Sequence, residues 1–127
     1  MTATRLTGVR ILLVEDYAPI REHLAEWLRL EGASVVPAST GKQALAVAGA
    51  QEFDVVLSDL DLPDVPGDVV VRTILSMATR RPRVAIITGA AKVNIAGLHE
   101  AGVDAVLPKP FDWSRLIEYL RTGRMAA

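Results

Sequence analysis

Six polar side chains follow apolar segments of this 127-residue chain, at the points where those segments end. They are Glu15, Asp16, Asp59, Asp61, Thr88 and Lys109. Crowded carboxylates repel one another, and a hard divalent cation relieves that repulsion. A site with few oxygen ligands and room for water favours magnesium over calcium. A carboxylate left partly free in such a site can attack phosphorus and form an aspartyl phosphate.

The remaining polar groups suit the same chemistry. A transferred phosphoryl group spreads negative charge over three oxygens. A metal ion, the Lys109 ammonium, the Thr88 hydroxyl and backbone N–H groups could balance that charge. Each residue taken alone also has a structural explanation. Asp16 could cap a helix, Lys109 could be a solvated loop charge, and Asp61 and Asp64 suit turns beside Pro and Gly.

Several other chemistries are excluded. The chain has no Cys, so it has no disulfide, thiolate nucleophile or Cys-ligated zinc site. Gly41-Lys42 lacks the upstream Gly of a phosphate-binding loop, and no G-x-S-x-G nucleophile motif is present. His23 and His99 have no metal-ligand partner one helical turn away. We interpret both as ordinary residues on helix surfaces.

Length and composition indicate one globular domain over residues 1–127, with 50% hydrophobic and 23% charged residues. The net charge of −1 gives no reason to expect direct nucleic-acid binding. The unbroken apolar runs, such as "ILLV", are far too short to span a membrane. The lack of Cys fits a cytoplasmic location.

The hydrophobic pattern predicts five strands that alternate with five helices. The predicted strands cover 9–14, 33–38, 54–58, 83–88 and 104–108, and the predicted helices cover 18–32, 39–50, 68–80, 90–102 and 112–123. This alternation is typical of the α/β class, with a doubly wound parallel sheet and helices on both faces. Ligands of such sheets bind beyond the carboxyl ends of the strands, where the polar residues fall.

The sharp turn between Lys109 and the helix near Asp112 predicts a cis peptide bond before Pro110, because a native cis proline usually serves such a tight turn. That turn would leave the lysine facing the predicted site.

The sequence resembles the receiver domain of two-component response regulators. The resemblance covers about residues 8 to 122 and rests on "ILLVED", "DVVLSDLDLPDVPG", "AIITG" and "AGVDAVLPKPF", in this order. It implies a flavodoxin-like, five-stranded sheet with strand order 2-1-3-4-5. It also implies the cis bond before Pro110.

The resemblance implies a role for each polar residue. Asp59 would accept a phosphoryl group from the phosphohistidine of a histidine kinase or a histidine phosphotransfer protein. The implied ligands of Mg²⁺ are Glu15, Asp16, Asp59 and the backbone carbonyl of Asp61. Thr88 and Lys109 would contact the phosphoryl group. The domain would thus catalyse its own phosphorylation and dephosphorylation and change its partner-binding surface, with a homodimer as a further candidate assembly.

One position departs from the family pattern, because Val106 stands where the family usually has Tyr or Phe. A valine cannot relay a signal by rotating a ring. The helix expected over 90–102 contains the poor helix formers Asn94 and Gly97. We therefore expect the signal to leave through this helix and the fifth strand, by loosening or shifting the helix.

Two other functions compete with a signalling receiver. A phosphatase of the haloacid-dehalogenase type also uses an Asp-x-Asp nucleophile, but its acid pair comes last and here Glu15-Asp16 comes first. A degenerate receiver would only bind partners, which the intact polar set argues against. We expect either a stand-alone regulator or a receiver cut from a larger protein; "LTGVRILLVED" looks like the start of receivers attached to hybrid histidine kinases.

Overall fold

The computed structural model describes residues 4–89, 93–110 and 112–124. Five strands alternate with five helices along the chain, as the hydrophobic pattern predicts. In chain order the elements are β1 (Arg10–Val14), α1 (Ala18–Leu30), β2 (Ser34–Ala38), α2 (Gly41–Ala50), β3 (Val55–Asp59), α3 (Gly67–Met77), β4 (Arg83–Thr88), α4 (Ile95–Ala101), β5 (Ala105–Pro108) and α5 (Trp113–Thr122).

The strands form one parallel sheet in the order β2-β1-β3-β4-β5. This order confirms the one that the resemblance implies. The register brings the strand ends level, with Val14 opposite Ser58 and Thr88 opposite Pro108. The residues that follow β1, β3, β4 and β5 therefore meet along one edge of the sheet.

Apolar side chains cover both faces of the sheet, as expected where helices flank a parallel sheet. One core cluster joins the sheet to α1 and α5, and the other joins it to α2, α3 and α4. Every residue of β3 is buried, so the strand that ends in Asp59 is fixed from both sides. Trp27 falls on the predicted apolar pattern of α1 but remains 46% exposed.

The segment before β1 packs against the end of α1. Leu6 is fully buried, and its N–H donates to the Glu31 carbonyl at 2.7 Å. Arg5 forms a salt bridge with the Glu31 side chain. Packed structure thus extends to Leu6, slightly before the expected core at about residue 8.

Helix ends follow the local sequence. Thr40 caps α2 by accepting from the Gln43 N–H, and Asp112 caps α5. The helix α4 is shorter than the range 90–102 expected from the pattern; residues 90–92 lie outside the described part of the chain. Asn94 does not belong to the helix interior but caps α4, accepting a hydrogen bond from the Gly97 N–H.

No helix among the described residues is long and apolar enough to cross a lipid bilayer.

Candidate functional site

Four strand ends deliver the predicted polar residues to one edge of the sheet. Glu15 directly follows β1, Asp59 is the last residue of β3, and Thr88 is the last residue of β4. All three are buried, at 3%, 8% and 3% exposure. Lys109 follows β5. Burying polar groups is costly unless they find partners, so their gathering at adjacent strand ends marks this edge as the candidate site.

Three carboxylates form the centre of the site. Glu15, Asp16 and Asp59 each offer an oxygen, and these oxygens all lie within 4.8 Å of one another. Asp16 is exposed, which leaves room for water beside the cluster. A set of oxygen donors with an open side fits a hard divalent cation such as Mg²⁺.

Lys109 bridges two of these carboxylates. Its Nζ donates to Glu15 Oε2 at 3.3 Å and to Asp59 Oδ2 at 3.2 Å. The ammonium is also partly buried, which strengthens its interaction with both acids. One oxygen of the Asp59 carboxylate therefore faces the Lys109 ammonium.

Burial and neighbouring charges shift the pKa values of Glu15 and Lys109. Burial raises the pKa of the Glu15 carboxyl, the Asp59 charge raises it further, and Lys109 partly opposes both effects. Burial alone would lower the pKa of Lys109, but its hydrogen bond to Asp59 and the two carboxylate charges raise it above the ordinary value. Lys109 is therefore a fixed positive charge at neutral pH.

Local backbone contacts hold the acidic turn after β1. The Arg21 guanidinium on α1 donates to the carbonyls of Glu15 and Asp16 at 2.9 and 3.2 Å. The Tyr17 N–H donates to Glu15 Oε1 at 3.3 Å. The N-cap of α1 is Tyr17, whose side chain makes no capping hydrogen bond, so Asp16 does not serve as that cap. The Asp16 carboxylate is thus part of the site.

The loop 60–66 holds the other oxygen of Asp59. The Asp61 N–H donates to Asp59 Oδ1 at 3.1 Å, while the Asp61 side chain is exposed. The loop closes where the Gly67 N–H donates to the Leu60 carbonyl at 3.1 Å. The Asp59 carboxylate therefore accepts one bond from Asp61 and one from Lys109.

The β4 and β5 ends are joined behind the site. The Lys109 N–H donates to the Thr88 carbonyl at 2.8 Å, and the bond between Lys109 and Pro110 is cis, as predicted. Val106, at the position where an aromatic ring was expected by resemblance, is partly buried and packs against the α2–α4 core cluster.

Two contacts near the site could not be predicted from the sequence. Arg21 lies several residues after the acids it holds, and Asp64 reads as a turn residue but bonds to the start of α2. Neither pairing has a fixed sequence spacing that could signal it.

Comparison with known families identifies the family of this chain. The model of the response regulator receiver domain matches residues 11–121. The chain is a receiver domain of this family. It belongs to the two-component response regulators, and the comparisons favour neither the phosphatase nor the binding-only alternative.

Known proteins are similar to this chain in sequence and in structure. The transcriptional regulatory protein CutR of Streptomyces coelicolor is 39% identical over 115 residues, which are 89% of this chain and 52% of CutR. A CheY-like receiver domain from Methanospirillum hungatei superposes with a TM-score of 0.85 at 28% identity, covering 91% of this chain and 92% of that one.

A third similar protein carries a modification. This response regulator from Burkholderia pseudomallei holds a phosphorylated aspartic acid, a calcium ion and citrate; it is 25% identical, with a TM-score of 0.83 and coverage of 91% of this receiver domain and 68% of that chain. The receiver domain spans about half the length of the curated relatives it matches, such as 46% of TcrA from Mycobacterium tuberculosis.

Proposed function

We propose that Asp59 is the phosphoacceptor of this receiver domain. The contact that carries the proposal is the 3.2 Å bond from Lys109 Nζ to Asp59 Oδ2, beside the cluster of three carboxylates. The phosphorylated aspartic acid of the similar Burkholderia protein supports it. The donor is the phosphohistidine of a histidine kinase or a histidine phosphotransfer protein, and the domain works in the cytoplasm.

The proposed transfer needs no redox partner. A bond forms between an Asp59 carboxylate oxygen and phosphorus as the P–N bond of the donor breaks, and its electron pair leaves with the imidazole nitrogen. Lys109 and the Thr88 hydroxyl contact the phosphoryl oxygens, whose negative charge the ammonium offsets. Hydrolysis of the aspartyl phosphate at the same site returns Asp59 to its starting state.

Mg²⁺ fits the donor set, since three carboxylate oxygens lie within 4.8 Å of one another. Its proposed ligands are Glu15, Asp16, Asp59 and the backbone carbonyl of Asp61. The bound ion would supply positive charge against the phosphoryl oxygens.

Intact-mass measurement after treatment with a small acyl phosphate and Mg²⁺ tests the assignment. The wild-type chain should gain one phosphate, and Asp59→Asn should gain none because the amide is not a nucleophile. Asp61→Asn is the matched control: it alters the neighbouring acid of the Asp-x-Asp pair but keeps its backbone carbonyl, so it should still gain one phosphate.

Other outcomes would reject the proposal. A phosphate on Asp59→Asn would place the acceptor elsewhere. Steady turnover of phosphate esters by the wild type would indicate a phosphatase, and a folded wild type that gains no phosphate would indicate a binding module. Chelation of Mg²⁺ should abolish the mass increase if the carboxylate cluster acts as proposed.

A further inference from the structure

The loop after the acceptor strand is attached to a neighbouring helix by one side chain. Asp64, in the loop 60–66, accepts the N–H of Gly41 at 2.8 Å through Oδ1 and the N–H of Lys42 at 2.9 Å through Oδ2. Both donors belong to the first turn of α2. Each carboxylate oxygen therefore satisfies one N–H that the helix itself leaves unpaired.

This arrangement differs from an ordinary helix cap. The local cap of α2 is already supplied by Thr40, whose Oγ1 accepts the Gln43 N–H at 3.1 Å. The first turn of α2 contains no acidic residue, and Asp64 supplies one from outside the helix. The backbone N–H bonds, that of Lys42 first, hold the pKa of Asp64 below its ordinary value, so the carboxylate is charged at neutral pH. The contact thus joins two separate segments.

The loop 60–66 and the start of α2 are also closely packed at Gly41. A Cβ added at Gly41 would lie 2.9 Å from Val65 Cβ and 3.0 Å from Val70 Cγ2. Carbon atoms are rarely this close, so a larger residue at position 41 would force Val65 or Val70 to shift. The start of α2 is therefore joined to the loop by the Asp64 carboxylate, and Gly41 permits the close approach of the two segments.

The loop also carries the backbone of Asp61. The Asp61 N–H orients Asp59 Oδ1, and the Asp61 carbonyl is the proposed backbone ligand of Mg²⁺. Within the described residues, Asp64 is the one side chain of this loop with a recorded hydrogen bond outside it. Part of the loop packs against the core through Leu60, Leu62 and Val65. Asp64 adds the hydrogen bonds that join the middle of the loop to α2.

We propose that Asp64 is a positioning residue for phosphoryl transfer: by fastening the loop 60–66 to α2, it holds the Asp61 carbonyl where a divalent cation binds. This inference rests on the proposed function. It assigns Asp64 to the site without contact with the reacting atoms.

The variants Asp64→Ala and Thr40→Ala separate positioning from capping. Both remove an acceptor from the N-terminus of α2, but only Asp64→Ala removes the hydrogen bonds that join the loop to α2. Partners that orient metal ligands typically change metal affinity by about 10–100-fold when removed. Asp64 acts through the backbone, so we expect the lower end of that range, about a tenfold rise in the dissociation constant of Mg²⁺. Thr40→Ala should bind Mg²⁺ as the wild type does.

The measurement is a titration with Mg²⁺ alone, followed by the amide resonances of the loop, with thermal melting of each variant to verify folding. Phosphorylation by an acyl phosphate should then need more Mg²⁺ in Asp64→Ala, with a maximal rate near that of the wild type at saturating Mg²⁺. Asp64→Asn keeps one acceptor oxygen, so its dissociation constant for Mg²⁺ should lie between those of Asp64→Ala and the wild type.

Each result decides between the claims. Equal Mg²⁺ affinity in Asp64→Ala, Thr40→Ala and the wild type, with the wild type phosphorylated normally, overturns the positioning role alone. If Asp64→Ala does not fold, the comparison of Asp64→Asn with Thr40→Ala takes its place. A wild-type chain that binds no Mg²⁺ and gains no phosphate overturns the proposed function, and the inference with it.

Discussion

Lys109 lies between two carboxylates that would otherwise repel each other at close range. Its Nζ is 3.3 Å from Glu15 and 3.2 Å from Asp59, and the Glu15 side chain is only 4% exposed. Lys109→Met removes the cation that bonds to both acids, so we expect the free energy of unfolding to fall by about 1–3 kcal/mol without metal. Added Mg²⁺ should stabilise the variant more than the wild type, because the cluster is then more negative. Urea unfolding with and without Mg²⁺ measures both effects.

Arg121→Met is the control for Lys109→Met. Arg121 pairs with Glu118 at 2.8 Å, but both side chains are 49% exposed. An exposed pair of this kind contributes about 0–1 kcal/mol, so little change in stability and no dependence on Mg²⁺ are expected. Equal behaviour of the two variants would mean that the charge of Lys109 does not hold the site together.

Individual site residues were predictable where a general rule positions them. Asp59 and Thr88 could be predicted because parallel strands end at one edge, and the structure has both as strand-final residues. The bonds of Asp64 could not be predicted, since its partners lie 22 and 23 residues away in another element. Contacts of that kind depend on how a loop folds over a helix, which no sequence periodicity encodes.

The helix α3 begins where its first residue meets the loop after β3. A Cβ added at Gly67 would lie 2.7 Å from the Leu60 carbonyl oxygen and 3.0 Å from the Asp59 carbonyl oxygen. These are backbone atoms, which cannot move cheaply. Gly67→Ala should therefore destabilise the protein by about 1–3 kcal/mol, as overpacking does. Thermal or urea unfolding would measure the loss.

Gly49 provides the opposite case within α2. A Cβ added there meets nothing within 4 Å, and alanine favours a helix more than glycine does. Gly49→Ala should leave stability unchanged or raise it by up to about 1 kcal/mol. If both glycine variants lose the same stability, the close approach at Gly67 is not what the protein depends on.

Element types were more predictable than element ends. The strand expected over 83–88 is observed as Arg83–Thr88, whereas the helix expected over 68–80 ends at Met77. Ala78 takes up an extended conformation, although nothing in its own residue type requires it. Tertiary context routinely overrides helix propensity, so the end of α3 at Met77 could not be predicted from the residue types alone.

Across the whole molecule the helices are unequally attached to the sheet. In α4 the buried residues are Leu98 and Ala101, whereas α5 buries four side chains and has its last carbonyls bonded by Arg83. A helix of seven residues also gains little from propagation. We expect α4 to exchange its amide hydrogens faster than α5 in the free protein.

The same experiment tests how a signal leaves the site. With Mg²⁺ and the phosphoryl mimic beryllofluoride, protection in α4 should change, because Thr88 ends the strand that leads toward it and Val106 offers no ring to rotate. Hydrogen exchange with and without the mimic measures this. Strong protection of α4 that the mimic leaves unchanged would exclude the helix as the output element.

The overall architecture was the most predictable level. Alternating strands and helices indicate a parallel sheet covered on both faces, because each element must bury its apolar side. The strand order β2-β1-β3-β4-β5 could not be predicted from the alternation, because the hydrophobic pattern does not indicate which strands are neighbours. The resemblance to the receiver domain implies that order, because it rests on motifs such as those at Asp59 and Lys109 and not on periodicity.

The two tryptophans of the chain lie in α1 and α5, which pack on the same side of the sheet. Trp27 of α1 and Trp113 of α5 meet edge to face with ring centroids 5.2 Å apart, and His23 stacks on Trp27. Their near-ultraviolet absorption and emission therefore report on a single seam between two helices. A rearrangement of α4, which packs on the opposite face of the sheet, should leave the tryptophan fluorescence unchanged. Separation of α1 from α5 should change its emission wavelength and intensity.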